Sequence, residues 1–138
     1  MSRLFSIPAA SLGLMLTLVA PAWSQKDKPV LPPILEIQTA IKRDPMNPSL
    51  HVQLGLAYWD ANDYRHALGA FQQAVKIGPN SAEAHNWLGV AIMETADLPG
   101  AIAEFRKAVA LDPKYARAYT NLGSALAKGG EQIGRAHV

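Results

Sequence analysis

The sequence predicts an all-α fold of stacked, antiparallel helix hairpins, and three observations lead to that expectation. A Leu-Gly pair recurs every 34 residues, at positions 54, 88 and 122, and a proline recurs at the same interval, at 45, 79 and 113. Between these markers, apolar residues recur at spacings of three and four, which is typical of one face of a helix. A period of this length is the signature of a two-helix unit that must bury its apolar face on its neighbours.

The first helix of a unit can be read from the second repeat. His85, Leu88, Gly89 and Ile92 lie on one helical face. Asn80 and Ser81 precede them, and both residue types are good helix N-caps. The sequence therefore predicts a helix that begins just after position 81.

A short polar turn leads to the second helix of the unit. Pro99 suits a first helical turn, and Asp112 before Pro113 marks the end, because proline disfavours a helical conformation in the residue before it. The apolar face between these signals consists of Leu98, Ala101, Ile102, Phe105, Ala108 and Val109.

Small residues indicate how the two helices pair. We expect Gly55 to face Ala67 within the first hairpin, with Phe71 filling the wedge towards the next hairpin, and the second hairpin to repeat this arrangement. A glycine costs about 1 kcal/mol of helix propensity relative to alanine. A cost that recurs in each repeat suggests that close approach of the backbones more than offsets it.

These positions resemble the tetratricopeptide repeat, which implies a right-handed solenoid. The matching residues are Leu54, Gly55, Tyr58, Ala67, Phe71, Ala74 and Pro79, then Leu88, Gly89, Ala101, Phe105, Ala108 and Pro113, then Leu122 and Gly123. The repeats span 48–81 and 82–115, between a half repeat at 34–47 and a truncated repeat at 116–131. His51 and His85 depart from the family by standing where it has a bulky residue.

The resemblance also implies a concave groove lined by the first helix of each hairpin, in which another protein or a peptide would bind. We expect Trp59 and Met93 to act as apolar anchors there, although packing against a neighbouring helix is an equal alternative. The in-step groove positions are Ser49, Val52, Leu56, Trp59, Glu83, Asn86, Val90, Met93, Arg117, Thr120, Asn121 and Ser124.

Two binding modes known in this family do not fit the sequence. The clamp for C-terminal carboxylates needs Lys and Asn side chains where Val52, Leu56 and Trp87 stand. An asparagine ladder is matched only at Asn121.

The composition and motifs give no support for catalysis, a cofactor or a metal. The chain has no cysteine, and its body outside the ends is neutral, so the small positive charge does not indicate nucleic acid. His51 and His85 are in register, but we expect packing rather than a shared metal, because carboxylate support is missing. Asp60 and Glu94 are in register too, and we expect them to be solvated.

Residues 1–24 resemble a secretory signal peptide. Arg3 precedes a short apolar core at 12–20, and Ala22-Trp23-Ser24 offers a cleavage site. We expect removal before Gln25, a proline-rich linker over 25–33, and a periplasmic or secreted protein. The alternative is an uncleaved inner-membrane anchor.

The pattern loses its phase after Glu131. Gln132–Val138 ends in IGRAHV, which resembles a translated sequencing adapter, so we expect 132–138 to be non-native. Tyr119 and Leu122 would then form part of an apolar patch, and we expect marginal stability or self-association there. The function expected is a protein-interaction scaffold; the alternatives are the arm of a larger enzyme, such as a glycosyltransferase, or a membrane-anchored assembly factor.

Overall fold

The structure is a computed structural model that describes residues 33–136, without the side chains at positions 133 and 136. The expected signal peptide and linker lie outside the described residues, except for Pro33, which begins the first helix. None of the described helices is both long and apolar enough to cross a membrane.

The described chain forms six helices and contains no strand. They are α1 (Pro33–Arg43), α2 (Pro48–Asp60), α3 (Tyr64–Ile77), α4 (Ala82–Glu94), α5 (Leu98–Leu111) and α6 (Ala116–Ala136). Each helix packs on the next, α2 also contacts α4, and α4 also contacts α6. Two hairpins, α2–α3 and α4–α5, are thus stacked between single helices, and the predicted all-α repeat solenoid is confirmed.

Side-chain caps set where the helices begin. The Asn47 side chain accepts from the Ser49 amide at 3.1 Å, and Ser81 accepts from the Ala84 amide at 3.2 Å. Asp63 and Asp97 cap the second helix of each hairpin in the same way. These bonds satisfy amides that have no partner inside the helix. Ser81, rather than Asn80, caps α4.

The turn inside each hairpin uses a left-handed residue that is not glycine. Asn62 and Ala96 have φ angles of 61° and 63°. The in-step residue of the third repeat is Gly130, which remains helical within α6. Helix α6, which is the first helix of the third repeat, therefore continues past Glu131, where the sequence predicted its end. We attribute this to the lack of a second helix within the described residues that would pack back on α6.

The glycines of the first helices lie against the phenylalanine rings of the second helices. A Cβ atom on Gly89 would lie 2.6 Å from Cε1 of Phe105, and Gly55 stands in the same relation to the ring of Phe71. Each glycine thus makes room for the phenylalanine ring of its own hairpin, a contact that comes in addition to the predicted packing of Phe71 towards the next hairpin. Phe71 also stacks on Trp87 of the next hairpin, with ring centroids 6.1 Å apart.

Candidate peptide-binding groove

The predicted groove residues lie on α2, α4 and α6, the first helices of the repeats. Those at its floor are half-buried, namely Leu56, Trp59, Val90, Met93 and Asn121. Those at its rim are exposed, namely Ser49, Glu83, Arg117, Thr120 and Ser124. Ten side chains of the predicted set are therefore accessible at least in part.

Two predicted groove residues are not accessible. Val52 is 2% exposed and belongs to the core between α2, α3 and α4. Asn86 is 0% exposed. Their positions follow the groove pattern, but the neighbouring helix covers them, so they support the groove wall instead of meeting a ligand.

Asn86 joins the second and third repeats. Its side-chain oxygen accepts a hydrogen bond of 2.8 Å from the amide of Asn121 on α6. Its own amide nitrogen is buried without a partner within the described part of the chain. A buried amide that lacks a partner is costly, so the pair fixes the position of α6 on α4 at some expense in stability.

Trp87 forms a platform beside this pair, which the sequence analysis did not predict. The guanidinium carbon of Arg117 lies 5.3 Å from the centroid of the Trp87 ring, within cation–π distance. Phe71 of the preceding hairpin also stacks on the Trp87 ring. This pairing holds Arg117 near the groove rim, and the 30-residue separation between partners left no local signal in the sequence.

An open cavity of about 520 Å³ lies between α1 and α2. Leu56 of the predicted groove lines it together with Pro33, Ile34 and Ile37 of α1. These side chains are apolar, while Gln53 and Asp60 supply polar groups to the lining. The cavity can take an apolar side chain and leave the attached backbone in water.

A second cavity, of about 550 Å³, lies where α4 and α6 begin. Its lining includes Glu83 and Arg117 of the predicted groove, with Asp112 and Tyr115 from the preceding loop. Burial raises the pKa of Tyr115, and the charges of Glu83 and Asp112 add to the rise while Arg117 opposes it. The hydroxyl stays protonated, so it can donate or accept a hydrogen bond in this polar cavity.

His85 lies outside the groove, in the core of the second hairpin. Its Nδ1 is 2.6 Å from Oε2 of Glu104, and its Nε2 is 2.8 Å from the carbonyl oxygen of Pro79. His51 has one contact of this kind, with Nε2 3.3 Å from the carbonyl oxygen of Pro45. Both histidines stabilise loops between repeats, and sequence reasoning missed Glu104.

Burial raises the pKa of Glu104, but hydrogen bonds from Lys107 and His85 outweigh it, so the carboxyl pKa lies below its ordinary value. Asp60 and Glu94 are exposed. No group of three or more metal-ligating side chains occurs among residues 33–136.

Stacked hairpins with an open face built from their first helices define a helical-repeat protein. A family model described as "Tetratricopeptide repeat" matches residues 52–116 and 93–132, which together cover more than half of the chain. The chain belongs to the tetratricopeptide repeat family. No curated protein matched the sequence.

Solved structures share the fold. A crystal structure of MamA is 32% identical, with a TM-score of 0.63, and the match covers 71% of this chain and 57% of that one. The second TPR domain of human RPAP3, in complex with an HSP70 peptide, is 24% identical with a TM-score of 0.61, over 67% and 77% of the two chains. The first TPR of Spaghetti, bound to an HSP90 peptide, is 21% identical with a TM-score of 0.65, over 70% and 77%.

Proposed function

We propose that the protein is an interaction scaffold without catalysis of its own, and that it binds an extended or helical peptide segment of another protein in the groove of α2, α4 and α6. The observation that carries the proposal is that three of the ten accessible groove residues line two cavities of different polarity. Leu56 lines an apolar cavity at one end, and Arg117 lines a polar cavity at the other. The peptide complexes of two structural neighbours are consistent with this use of the fold.

The lining of the cavities indicates what the ligand must offer. An aliphatic or aromatic side chain would fill the Leu56 cavity, since apolar burial supplies most of the free energy in such anchors. Trp59 and Met93 extend the apolar floor and are half-buried. At the other end, Arg117 and Asn121 would bind the peptide backbone or a polar side chain.

This ligand differs from the acidic peptides in the neighbouring structures, SGPTIEEVD and SRMEEVD. Val52 is buried, and the Trp87 ring contacts both Phe71 and Arg117. Neither residue presents the cation or the amide that would hold a terminal carboxylate. We therefore expect apolar anchoring, with charge contributing less.

A displayed random-peptide library tests the proposal. The full chain would be used as bait, and the selected peptides would be measured by fluorescence titration against the wild type and against Leu56→Asp. We expect the groove variant to weaken binding by at least about tenfold, because one anchor is lost. Leu35→Asp is a matched control, since Leu35 is exposed on α1 and does not line the cavity. Selected peptides that bind both variants like the wild type would contradict the proposal.

We propose further that the scaffold is exported, with residues 1–24 removed as a signal peptide. The support is the basic residue, short apolar core and small residues at 22 and 24. N-terminal sequencing of the native protein tests it. A start at Gln25 is expected, whereas an intact Met1 would favour the inner-membrane anchor.

A further inference from the structure

The two complete hairpins differ in one polar contact between their helices. In the second hairpin, Oε2 of Glu104 is 2.6 Å from Nδ1 of His85. The other carboxylate oxygen accepts a hydrogen bond of 2.8 Å from Lys107. The residue of the first hairpin in step with Glu104 is Ala70. The first hairpin therefore lacks the carboxylate that the second hairpin carries.

The first hairpin keeps the histidine that this carboxylate would meet. Nε2 of His51 is 3.3 Å from the carbonyl oxygen of Pro45. In the second hairpin, Nε2 of His85 is 2.8 Å from the carbonyl oxygen of Pro79, which is in step with Pro45. The two rings thus share one orientation, and Nδ1 of His51 faces the place that Glu104 fills in the second hairpin. This nitrogen has no hydrogen-bond partner among residues 33–136.

An open cavity of about 640 Å³ lies at this place, between α2 and α3. Both helices of the hairpin are present, so the small side chain of Ala70, and not the lack of a helix, leaves the space. A Cβ atom on Gly69 would also meet nothing within 4 Å. The polar lining and the alanine at its centre are supplied by His51, Tyr58, Arg65, His66, Ala70 and Gln73.

The lining has more hydrogen-bond donors than the same surface of the second hairpin. Arg65 and His66 stand where the second hairpin has Pro99 and Gly100. Arg65 is exposed and forms no salt bridge with any of residues 33–136. The carboxylate of Asp63 is nearby but engaged, because it lies 2.6 Å from Nδ1 of His66. The guanidinium of Arg65 therefore remains available to an acidic ligand.

The chemistry of the lining selects a carboxylate. An ionised carboxylate only accepts hydrogen bonds, and it binds most strongly to charged donors such as a guanidinium. The amide of Gln73, in step with Lys107, can donate to the same place as Nδ1 of His51. In the second hairpin the place is filled by a glutamate side chain, so a side chain of that length has the right shape.

The donors are spread along the hairpin, which favours a ligand with more than one acidic group. His51 and Tyr58 are seven residues apart on α2, a distance of about 10 Å along the helix. The ring of His66 stacks on Tyr58, with centroids 5.1 Å apart, so Arg65 belongs to the end of the cavity away from His51. In an extended polyproline-type segment, residues three positions apart lie on one side about 9 Å from each other. Two acidic side chains at that spacing match the two ends.

We propose that this cavity is a second binding site of the protein, and that it takes acidic side chains from an extended segment of another protein, with one carboxylate at Nδ1 of His51. The site is separate from the groove. His51 and Tyr58 lie on the face of α2 opposite to Leu56, because their positions differ by about half a helical turn. The protein can therefore bind one segment in the groove and a second segment between α2 and α3.

An NMR titration of the full chain tests the proposal. The probe is an acetylated and amidated peptide of sequence EPPE, and its uncharged match is QPPQ. We expect EPPE to shift the imidazole resonances of His51 and to bind at least about tenfold more tightly than QPPQ, because its hydrogen bonds are charge-assisted. Equal affinities for the two peptides would overturn the proposal.

Ala70→Glu supplies the carboxylate from within the chain. Because Ala70 is in step with Glu104, the new side chain should lie beside His51 and weaken the binding of EPPE by at least about tenfold. Gln72→Glu is the matched control, since it adds the same charge to an exposed position of α3 that does not line the cavity. It should bind EPPE like the wild type. Unchanged binding in Ala70→Glu would refute the proposal.

His51→Leu tests the site without adding a charge. The variant should fold, since His51 makes one long hydrogen bond, and it should bind EPPE at least about fivefold more weakly. Unchanged binding would contradict the role of Nδ1.

Two further results would assign the peptide differently and would overturn the proposal. Binding that is lost in Arg117→Gln and kept in Ala70→Glu would place EPPE in the groove. Glutarate that binds as tightly as EPPE would indicate a site for a small dicarboxylate and not for a segment of another protein.

Discussion

Removing Glu104 should destabilise the second hairpin far more than its position on an exposed helix suggests. The side chain of His85 is only 6% exposed, and both of its ring nitrogens face oxygen acceptors. Nδ1 of His85 is the ring nitrogen next to the Glu104 carboxylate, so Glu104 provides a hydrogen-bond partner for a buried polar group in the core. Lys107 also donates to Glu104, at 2.8 Å, but it is 57% exposed. We therefore expect the Lys107–Glu104 contact to contribute little to the free energy of unfolding.

The magnitude follows from these contacts. Glu104→Ala removes a charge-assisted hydrogen bond and leaves a buried ring nitrogen without a partner, which together should cost about 2–4 kcal/mol of unfolding free energy. Urea unfolding followed by circular dichroism measures the loss. His51→Leu is the control, because His51 is more exposed and has one long bond, and its loss should stay below about 1 kcal/mol.

A double-mutant cycle of His85→Leu and Glu104→Leu isolates the pair. We expect a coupling free energy above about 1 kcal/mol. A coupling free energy of zero would refute the reasoning that the buried pair stabilises the hairpin. An equal loss of unfolding free energy in His51→Leu and His85→Leu would refute it too.

The same pair predicts a dependence on pH. The pKa of Glu104 in the folded protein lies below its ordinary value of 4.5, so the unfolded chain binds more protons in that region. The contribution of Glu104 to stability is therefore complete above that value and is lost as the pH falls through the folded pKa. Glu104→Gln should show a weaker loss of stability on acidification. Parallel pH profiles for the two proteins would contradict the assignment.

Three further predictions concern the repeats. Gly89→Ala should lower the free energy of unfolding by about 1–3 kcal/mol, because the added methyl group would press on Phe105. Gly69→Ala should raise it by up to about 1 kcal/mol, because the position is open and alanine favours the helix. Urea unfolding measures both changes. Ala96→Gly should raise the free energy of unfolding by about 1 kcal/mol, because glycine adopts the left-handed backbone conformation of this position without strain. A thermal melt with an unchanged Tm would contradict this expectation. Asn86→Val should leave the urea midpoint unchanged or raise it, since it removes a buried amide nitrogen that has no partner within the described part of the chain. A loss of more than about 1 kcal/mol of unfolding free energy would instead show that the bond to Asn121 stabilises the fold.

The sequence predicted what depends on a repeated pattern. The helix pairs, the cap at Ser81 and the in-step glycines all recur, so two copies of each signal agree. Glu104 and Trp87 were missed because the first repeat has Ala70 and Gln53 at their positions. A contact that occurs in one repeat alone leaves no periodicity to detect.

In the groove, too, the sequence predicted the positions that follow from helical spacing but not the contacts between helices. Its ten accessible side chains follow from the helical spacing. The burial of Val52 and Asn86 does not, because it depends on how closely α2, α4 and α6 approach one another. Spacing along one helix fixes the face on which a side chain lies, but not the distance to the next helix.

The two seams between first helices differ in chemistry, and this difference bears on binding. The seam of α2 and α4 is apolar at Val52, whereas that of α4 and α6 contains the Asn86–Asn121 bond and the Arg117–Trp87 contact. A directional hydrogen bond fixes the register of two helices more sharply than apolar packing, which tolerates small shifts. We therefore expect the register of α4 and α6, at the polar end of the groove, to be fixed more closely than that of α2 and α4. A peptide that spans both would be selected by its polar contacts and would gain affinity from its apolar anchor.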